Sequence, residues 1–433
     1  MKQICIGLVG AGTVGGGVVK LLNRQSDFFR EKLGLPVVLK RIVVKTTDRF
    51  ATLPVGSALC SESFDDILND NDISIVIELV GGTGFARKVI LDSLGRGKHV
   101  ITANKALIAE YGPEIFSAAE KAGVSVYFEA AVGGGMPVIK TVREGMVGNE
   151  IRSIKTIING TCNYILTQMS SKGLSFETAL AEAQRRGYAE ADPTLDIEGG
   201  DSGHKTAILA SLIHGGYVPY SALSIEGISR ISHDDIRYAE DLGYCIKLLG
   251  IIKKEETEDS IDVRVHPAML PKNHILSSVN DVFNAVALEG DAVGSLLLYG
   301  RGAGELPTAS AVVSDIIDVA RNSAQGIPTR VPMHYYSESN PLAVRPLDSI
   351  ESRYYLRFTV IDEPGVLASI ATTLGSHGIS IASVMQREGS SPIHVPVIIL
   401  THVAKERSMR SALSEIERQS FVKDRTQLIR IEE

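Results

Sequence analysis

The sequence contains no tryptophan, and its aromatic fraction is only 6%. Its four cysteines, Cys5, Cys60, Cys162 and Cys245, are scattered, with no CxxC pair and no His/Cys ligand spacing. That pattern argues against a disulfide scaffold and a zinc module, and it fits buried thiols in a reducing compartment. No apolar run approaches the ~20 residues that cross a bilayer, so no membrane span is expected. Basic excess is also missing: 44 Lys and Arg stand against 51 Asp and Glu, a net charge of -7. A nucleic-acid binder usually shows a basic stripe, so none is expected as a partner. The first residues, "MKQICIGLVGAG", run straight into a strand and a glycine turn. They lack signal-peptide anatomy, and a cytoplasmic location is expected.

What remains is an ordinary globular composition, 44% hydrophobic and 22% charged over 433 residues. That length is too great for one core and predicts two to three domains. The first hundred or so residues alternate short apolar runs ("ICIGLVG", "VVLKRIVVK", "SIVIELVGG", "KHVITANK") with helical patterns such as "GFARKVILDSLGRG" and "YGPEIFSAAEKAG". Alternating strands and helices predict a doubly wound parallel sheet, whose ligands sit beyond the carboxyl ends of the strands. After Pro137 the pattern becomes a mixture of α and β, with "IDVRVHPAML" and "VFNAVALEG" as antiparallel strands. "GRGAGELPTASAVVSDIIDVARN" reads as a glycine turn opening a long helix. From Tyr354 the order strand, helix, strand, strand, helix, strand predicts a ferredoxin-like unit. The fold class is therefore α/β. A Rossmann domain is expected over 1–130 plus 305–325, an α+β substrate and dimerisation domain over 131–304, a linker over 326–352 and a small βαββαβ domain over 353–433.

"GAGTVG" places Gly10, Gly12 and Gly15 in GxGxxG spacing between a strand and a helix. The first glycine makes the tight turn, the second admits a pyrophosphate and the third lets helix and strand pack closely. At the end of the second strand Lys45 and Arg49 are cations suited to a 2′-phosphate, which favours NADP, while Asp48 between them keeps NAD as the alternative.

"TANK" ends a parallel strand at the edge where such sheets place their sites. Lys105 there is either a group that meets the nicotinamide or a solvated loop lysine. "EAAVGGGMP" follows Glu129 with a glycine turn, which suits either a ring of oxygens around a monovalent cation or a hinge. In "NGTCNYIL", Asn159, Thr161 and Asn163 are helix-capping residues or a carboxylate-binding group. The most acidic stretch, "GYAEADPTLDIEGGDSGHK", ends with Asp201 and Lys205 four residues apart, on one face of a helix. An exposed pair of that kind contributes little to stability. A lysine heading an apolar, buried helix is instead suited to proton transfer, because burial depresses its pKa. His204 turns ~100° away from Lys205 on the helix, which predicts a packing role.

Together "GLVGAGTVG", "ELVGG", "GKHVITANKALIA", "FEAAVGGGMPVI", "INGTCNYIL", "GYAEADPTLDIEGGDSGHK" and "GRGAGELPTASAVVSD" resemble the homoserine dehydrogenases, in the monofunctional bacterial form with a C-terminal ACT domain. The resemblance implies reversible, NAD(P)H-dependent reduction of L-aspartate 4-semialdehyde to L-homoserine, in the threonine and methionine branch of amino-acid biosynthesis. It implies that Gly10, Gly12, Thr13, Val14 and Gly15 cradle the pyrophosphate, that Lys45 and Arg49 lie near the ribose, and that Thr83, Lys105 and Gly302 meet the cofactor. Glu129 with the carbonyls of Val132, Gly134 and Met136 would hold a sodium ion. Glu190, Asp196, Thr161 and Tyr188 would bind substrate with Lys205. Lys205 would be the acid/base, Lys105 its rival, and Asp201 would position it.

"VIDEPGVLASIATTLGSHGISIASV" resembles ACT domains, with Gly365 opening a helix that can receive an amino-acid carboxylate. L-threonine is the implied effector, and a homodimer or homotetramer the implied assembly. Removing 353–433 would then leave activity and abolish the inhibition. Two rival readings remain at this level. One is aspartate-semialdehyde dehydrogenase, for which Cys162 would be the nucleophile. The other is a non-catalytic amino-acid sensor.

Overall fold

The computed structural model describes residues 3–45, 55, 59–254, 260–327, 329–331, 342–386 and 394–433. Asp48 and Arg49 lie outside the described residues. The chain divides into two compact units, one formed by residues 1–158, 203–223 and 283–343, the other by 159–202, 224–282 and 344–433.

In the first unit six strands form one sheet in the spatial order Cys60–Ser61, Val37–Val43, Ile4–Val9, Ile73–Glu78, His99–Thr102, Val126–Tyr127. Every pairing is parallel, and the order 3-2-1-4-5-6 is that of dinucleotide-binding sheets. The inner strands read as unbroken apolar runs because helices cover both faces, and Ile6, Leu8, Ile75 and Ile77 are fully buried. The late helix Glu305–Ala324 packs on the first helix, Thr13–Arg24. A Cβ at Gly17 would come 2.8 Å from the Glu305 carbonyl oxygen, so only glycine allows that crossing. Three antiparallel strands, Ile151–Ile157, Phe283–Gly290 and Gly294–Arg301, complete this unit's sheet structure.

The sequence pattern placed a helix from Tyr111 onward, but the helix is Lys105–Ala122. Its true start is fixed by Asn104, whose Oδ1 accepts from the Leu107 amide at 3.2 Å. Pro113 lies inside it and cannot donate to the carbonyl of Ala109 four residues earlier. That carbonyl accepts from the Tyr217 hydroxyl at 3.2 Å instead, so the helix continues past the proline.

The second unit contains a long hairpin, Tyr244–Lys254 with Ser260–Pro271. The C-terminal βαββαβ unit runs Glu351–Ile361, Val366–Ser376, Ile381–Gln386, His394–Thr401, Glu406–Ile416, Gln427–Ile431. Its four strands stand in the order last, first, third, second, all antiparallel. The last strand also pairs in parallel with the hairpin strand Ser260–Pro271. Alternation along Glu351–Ile361 sends Tyr354, Leu356 and Phe358 to one core with Ile370, Leu374 and Met409. Tyr355 goes to the opposite core with Tyr164, Met169, Leu248 and Ile431.

Candidate active site

The glycine turn of the first unit behaves as its spacing required. Gly10 has φ +94°, and a Cβ there would come 2.7 Å from Leu79 backbone atoms; a Cβ at Gly15 would come 2.2 Å from the Gly10 carbonyl. Gly12 faces open space, as a backbone that must admit a ligand should. Gly12 and Thr13 are exposed and Val14 is half-buried, so the first amides of Thr13–Arg24 are open to an anion. Beside them lies a cavity of about 580 Å³, lined among others by Gly10, Gly12, Lys45, Val80 and Glu62. Lys45 therefore lines the cavity beside the glycine turn. Glu62, which the sequence reading missed, adds a carboxylate there.

Glu78, also unremarked in the sequence, is fully buried at the end of its strand. One oxygen accepts from the amides of Val80 (2.7 Å) and Gly81 (3.3 Å), the other from the Thr102 hydroxyl (2.7 Å). Thr102 Oγ1 accepts from the Asn104 amide at 3.0 Å, and Asn104 Nδ2 donates to the Gly82 carbonyl at 2.7 Å. This network ties the loop after one strand, just before Thr83, to the loop after the next, just before Lys105. Burial pushes the Glu78 carboxyl up, against the hydrogen bonds that favour its charged form. Lys105 is not a loop residue. It is half-buried in the first turn of its helix.

The glycine-rich turn after Glu129 and the turn at Gly302 are packed on each other. A Cβ at Gly134, where φ is +55°, would lie 2.3 Å from the Gly302 carbonyl oxygen, and a Cβ at Gly302 would strike Asn284. The Glu129 carboxylate accepts from the amides of Ile139 and Lys140, both at 2.8 Å. Burial nevertheless pushes it up to about 7. Its own amide donates to Asp315, a second buried acid that burial also raises. Val132 is in the same turn, and the Met136 carbonyl accepts from the Val138 amide at 2.8 Å. Among the described residues no cluster of three His, Cys, Asp or Glu could hold a metal.

Lys205 lies on the helix Gly200–His214, whose first turn holds Asp201. Its Nζ donates to the Ile158 carbonyl at 2.9 Å. Within residues 201–210 it alone is only half-buried, a more open setting than the sequence suggested. His204 takes the packing role, stacked on Tyr220 at 4.2 Å between ring centroids.

In the second unit Asn159 is a helix cap, and it also donates to two carboxylates of this chain. Its Oδ1 caps the helix Gly160–Lys172 by accepting from the Cys162 amide at 2.8 Å. Its Nδ2 donates to Asp196 at 2.7 Å and to Asp201 at 2.8 Å. One amide thus holds two carboxylates of the acidic stretch together. The Thr161 hydroxyl donates to the Tyr188 carbonyl at 2.6 Å, and the Tyr188 ring meets Tyr164 edge-on. Glu190 is exposed, as a group that must reach a ligand can be. Asn163 turns away from this group to the carbonyls of Val279 and Asp281, and accepts from buried Lys247. Cys162 is fully buried, with Sγ 3.1 Å from the Asp196 carbonyl; that is a poor setting for a nucleophile.

A parallel sheet in this order, with a glycine turn that leaves the first amides of the following helix open, defines the dinucleotide-binding class to which nicotinamide-dependent oxidoreductases belong. The chain belongs to the homoserine dehydrogenase family. Residues 137–317 match the family model described as homoserine dehydrogenase, 10–129 its NAD-binding domain and 354–421 the ACT domain. The homoserine dehydrogenase of Neisseria gonorrhoeae is 44% identical, covering 100% of this chain and 99% of its own, and that of Bacillus subtilis is 36% identical with the same coverage. The crystal structure of a homoserine dehydrogenase from Thiobacillus denitrificans superposes with a TM-score of 0.94 at 42% identity, covering 100% of this chain and 99% of that one. Among the described residues no helix is long and apolar enough to cross a membrane.

Proposed function

We propose that the protein reversibly reduces L-aspartate 4-semialdehyde to L-homoserine, in the biosynthetic branch toward threonine and methionine. The observation that carries this reading is the amide of Asn159 holding Asp196 to Asp201, the latter in the first turn of the helix that continues to Lys205. Paired carboxylates suit a substrate with an ammonium group, and a lysine ammonium polarises an aldehyde oxygen and protonates it. In this reading Glu190 meets the substrate ammonium, and Thr161 and Tyr188 shape the pocket. Asp196 and Asp201 set its field, and Lys205 handles the proton, with Lys105 as the rival donor.

The bound dinucleotide supplies or takes the hydride. Gly10, Gly12, Thr13, Val14 and Gly15 would hold its pyrophosphate, Lys45 and Arg49 its ribose end, and Thr83, Lys105 and Gly302 its nicotinamide side. Lys45 favours NADP, with NAD as the alternative because Glu62 lines the same cavity.

Glu129 with the carbonyls of Val132, Gly134 and Met136 is proposed to hold sodium. A buried carboxyl raised to about 7 suits a nearby cation, and a carbonyl-rich set suits a hard one. L-threonine is proposed as the effector of the C-terminal module, and the assembly as a homodimer or homotetramer in the cytoplasm. Tyr299, 53% exposed on the strand Gly294–Arg301, is an apolar feature available to such an assembly. The proposed modules are a nucleotide domain over 1–130 plus 305–325, a substrate and dimerisation domain over 131–304, a linker over 326–352 and the ACT module over 353–433.

Initial rates with aspartate semialdehyde and NADPH or NADH, with and without L-threonine, test the reading. Lys205→Ala should lower kcat by roughly a thousand-fold while the KM for NADPH stays nearly unchanged. A Lys205→Ala variant with full turnover, beside a dead Lys105→Ala, would give the proton to Lys105.

A further inference from the structure

Four charged side chains from distant parts of the second unit meet beneath the acidic stretch. Arg430, on the last strand and 1% exposed, donates to Glu226 through both terminal nitrogens at 3.0 Å and to Glu406 at 2.6 and 3.0 Å. Arg410, on the helix Glu406–Ile416, donates to Glu226 at 2.9 Å and to Glu406 at 2.8 Å. The Tyr354 hydroxyl completes the group by donating to Glu406 at 2.9 Å. Three of the four charges belong to the C-terminal module. Glu226 alone belongs to the segment that follows strand Ser224–Ile225.

Immediately after Glu226 the chain braces the acidic stretch. A Cβ on Gly227 would fall 2.2 Å from the Ile197 carbonyl oxygen and 2.4 Å from Glu198 Cα. The Ile228 amide donates to that same carbonyl at 2.7 Å. Ile197 ends the helical turn Thr194–Ile197 that carries Asp196. Packing holds one side of this brace, where Ile228 is fully buried; on the other side lies a cavity of about 620 Å³, lined by Glu198, Glu226, Gly227 and Arg410 among others. The Glu226 amide also donates to the Val265 carbonyl at 2.8 Å, and on the cavity side the charged hydrogen bonds of the Glu226 side chain add to that hold.

We propose that Glu226 is a positioning residue: through Gly227 and Ile228 it transmits the placement of Arg410 and Arg430 to the turn carrying Asp196. This rests on the reading that Asp196 serves the substrate. The C-terminal module thereby sets the substrate affinity of the acidic stretch through one carboxylate.

The test uses the full-length chain with Glu226→Gln, Gly227→Ala and Arg410→Gln. Arg410 is 40% exposed in its side chain, so its variant tolerates the change if Glu226→Gln misfolds. Hydrogen exchange at the amides of residues 196–199 and of Ile228 should quicken by roughly ten-fold or more, with the parallel sheet unaffected. The KM for homoserine should rise by roughly ten-fold, with kcat and the KM for the dinucleotide changing by less than about two-fold. Wild-type exchange and wild-type KM in the folded variants overturn the proposal. An Asp196→Asn control with unchanged KM instead removes the reading of the acidic stretch as the substrate site, and the exchange data then decide the role of Glu226 by themselves.

Discussion

His204 Nε2 lies 3.1 Å from Glu110 Oε1. This contact joins the helix that begins at Lys105 to the helix that carries Lys205. The histidine is 6% exposed in its side chain and the glutamate 38%. The bond is therefore sheltered on one side, where the His204 ring stacks on Tyr220. The two lysines proposed to compete for the proton share a mechanical reference.

Glu110→Ala should cost about 1 kcal/mol of stability, the usual net worth of such a bond. It should also lower kcat more than it raises either KM. Glu110→Gln keeps an acceptor and should recover most of the loss. Thermal unfolding alongside initial rates checks both, and equal kcat in all three proteins would leave the bond purely structural.

The second unit should be sensitive to acid from near neutrality. His266 accepts from Arg264 Nε at 3.0 Å through Nε2, so its proton sits on Nδ1, 2.9 Å from the Pro267 carbonyl. Burial, with the charges of Arg430 and Arg264, pushes it down to about 3. Burial would raise Glu432, but Lys253 and Arg264 outweigh it and bring it down to about 2. Both groups take up protons more readily when unfolded. Their stabilisation is complete above their unfolded values and drains as pH falls, from about 6.5 for the histidine and about 4.5 for the glutamate, by at most ~1.4 kcal/mol per pH unit each. Urea midpoints between pH 7 and 5 should fall in the wild type and fall less in His266→Gln.

Glu78→Gln retains the shape but only one accepting oxygen for donors on both sides. The loop from Val80 to Thr83 should loosen, raising the KM for the dinucleotide several-fold while the KM for homoserine holds. Glu78→Ala strands the Thr102 hydroxyl and two amides, and should cost about 3 kcal/mol or more of stability. Dinucleotide binding by fluorescence titration, with melting curves, separates the two effects.

Removing residues 353–433 should not yield a desensitised enzyme, contrary to what the resemblance to a separate regulatory domain implies. The cut deletes the strand paired with Ser260–Pro271 and takes Tyr355, Ile429 and Ile431 out of the core shared with Tyr164 and Met169. The truncated chain should be insoluble or inactive. A soluble product with full turnover and no response to L-threonine would restore the simpler view.

Features governed by neighbours in sequence were legible. The glycine turn, the parallel strands and the βαββαβ order follow from local period and spacing, and each stands where it was expected. The acidic stretch stood out through its carboxylates gathered before one lysine, but the Asn159 amide that joins two of them lies 37 and 42 residues away in sequence. Glu78 opens "ELVGG", where nothing distinguishes a buried acceptor from a strand-end acid. The pairing of Glu226 with Arg430 spans 204 residues, and no pattern in one sequence links them. The helix start at Lys105 was missed because Pro113 reads as a helix boundary, and its compensating donor, Tyr217, lies 108 residues from the carbonyl it satisfies.

Asn159 is followed directly by Gly160, the dipeptide in which a backbone nitrogen most readily closes on a side-chain amide and expels ammonia. While the cap and both carboxylates hold that amide, the ring closure is opposed. In chain that has opened locally it is not, and the product carries an acid where an amide had joined two others. Three negative groups within hydrogen-bonding distance cannot all stay charged. Ageing of this protein is thus expected to extinguish it through one chemical event at one residue, visible as a new acidic isoform before any loss of helix content.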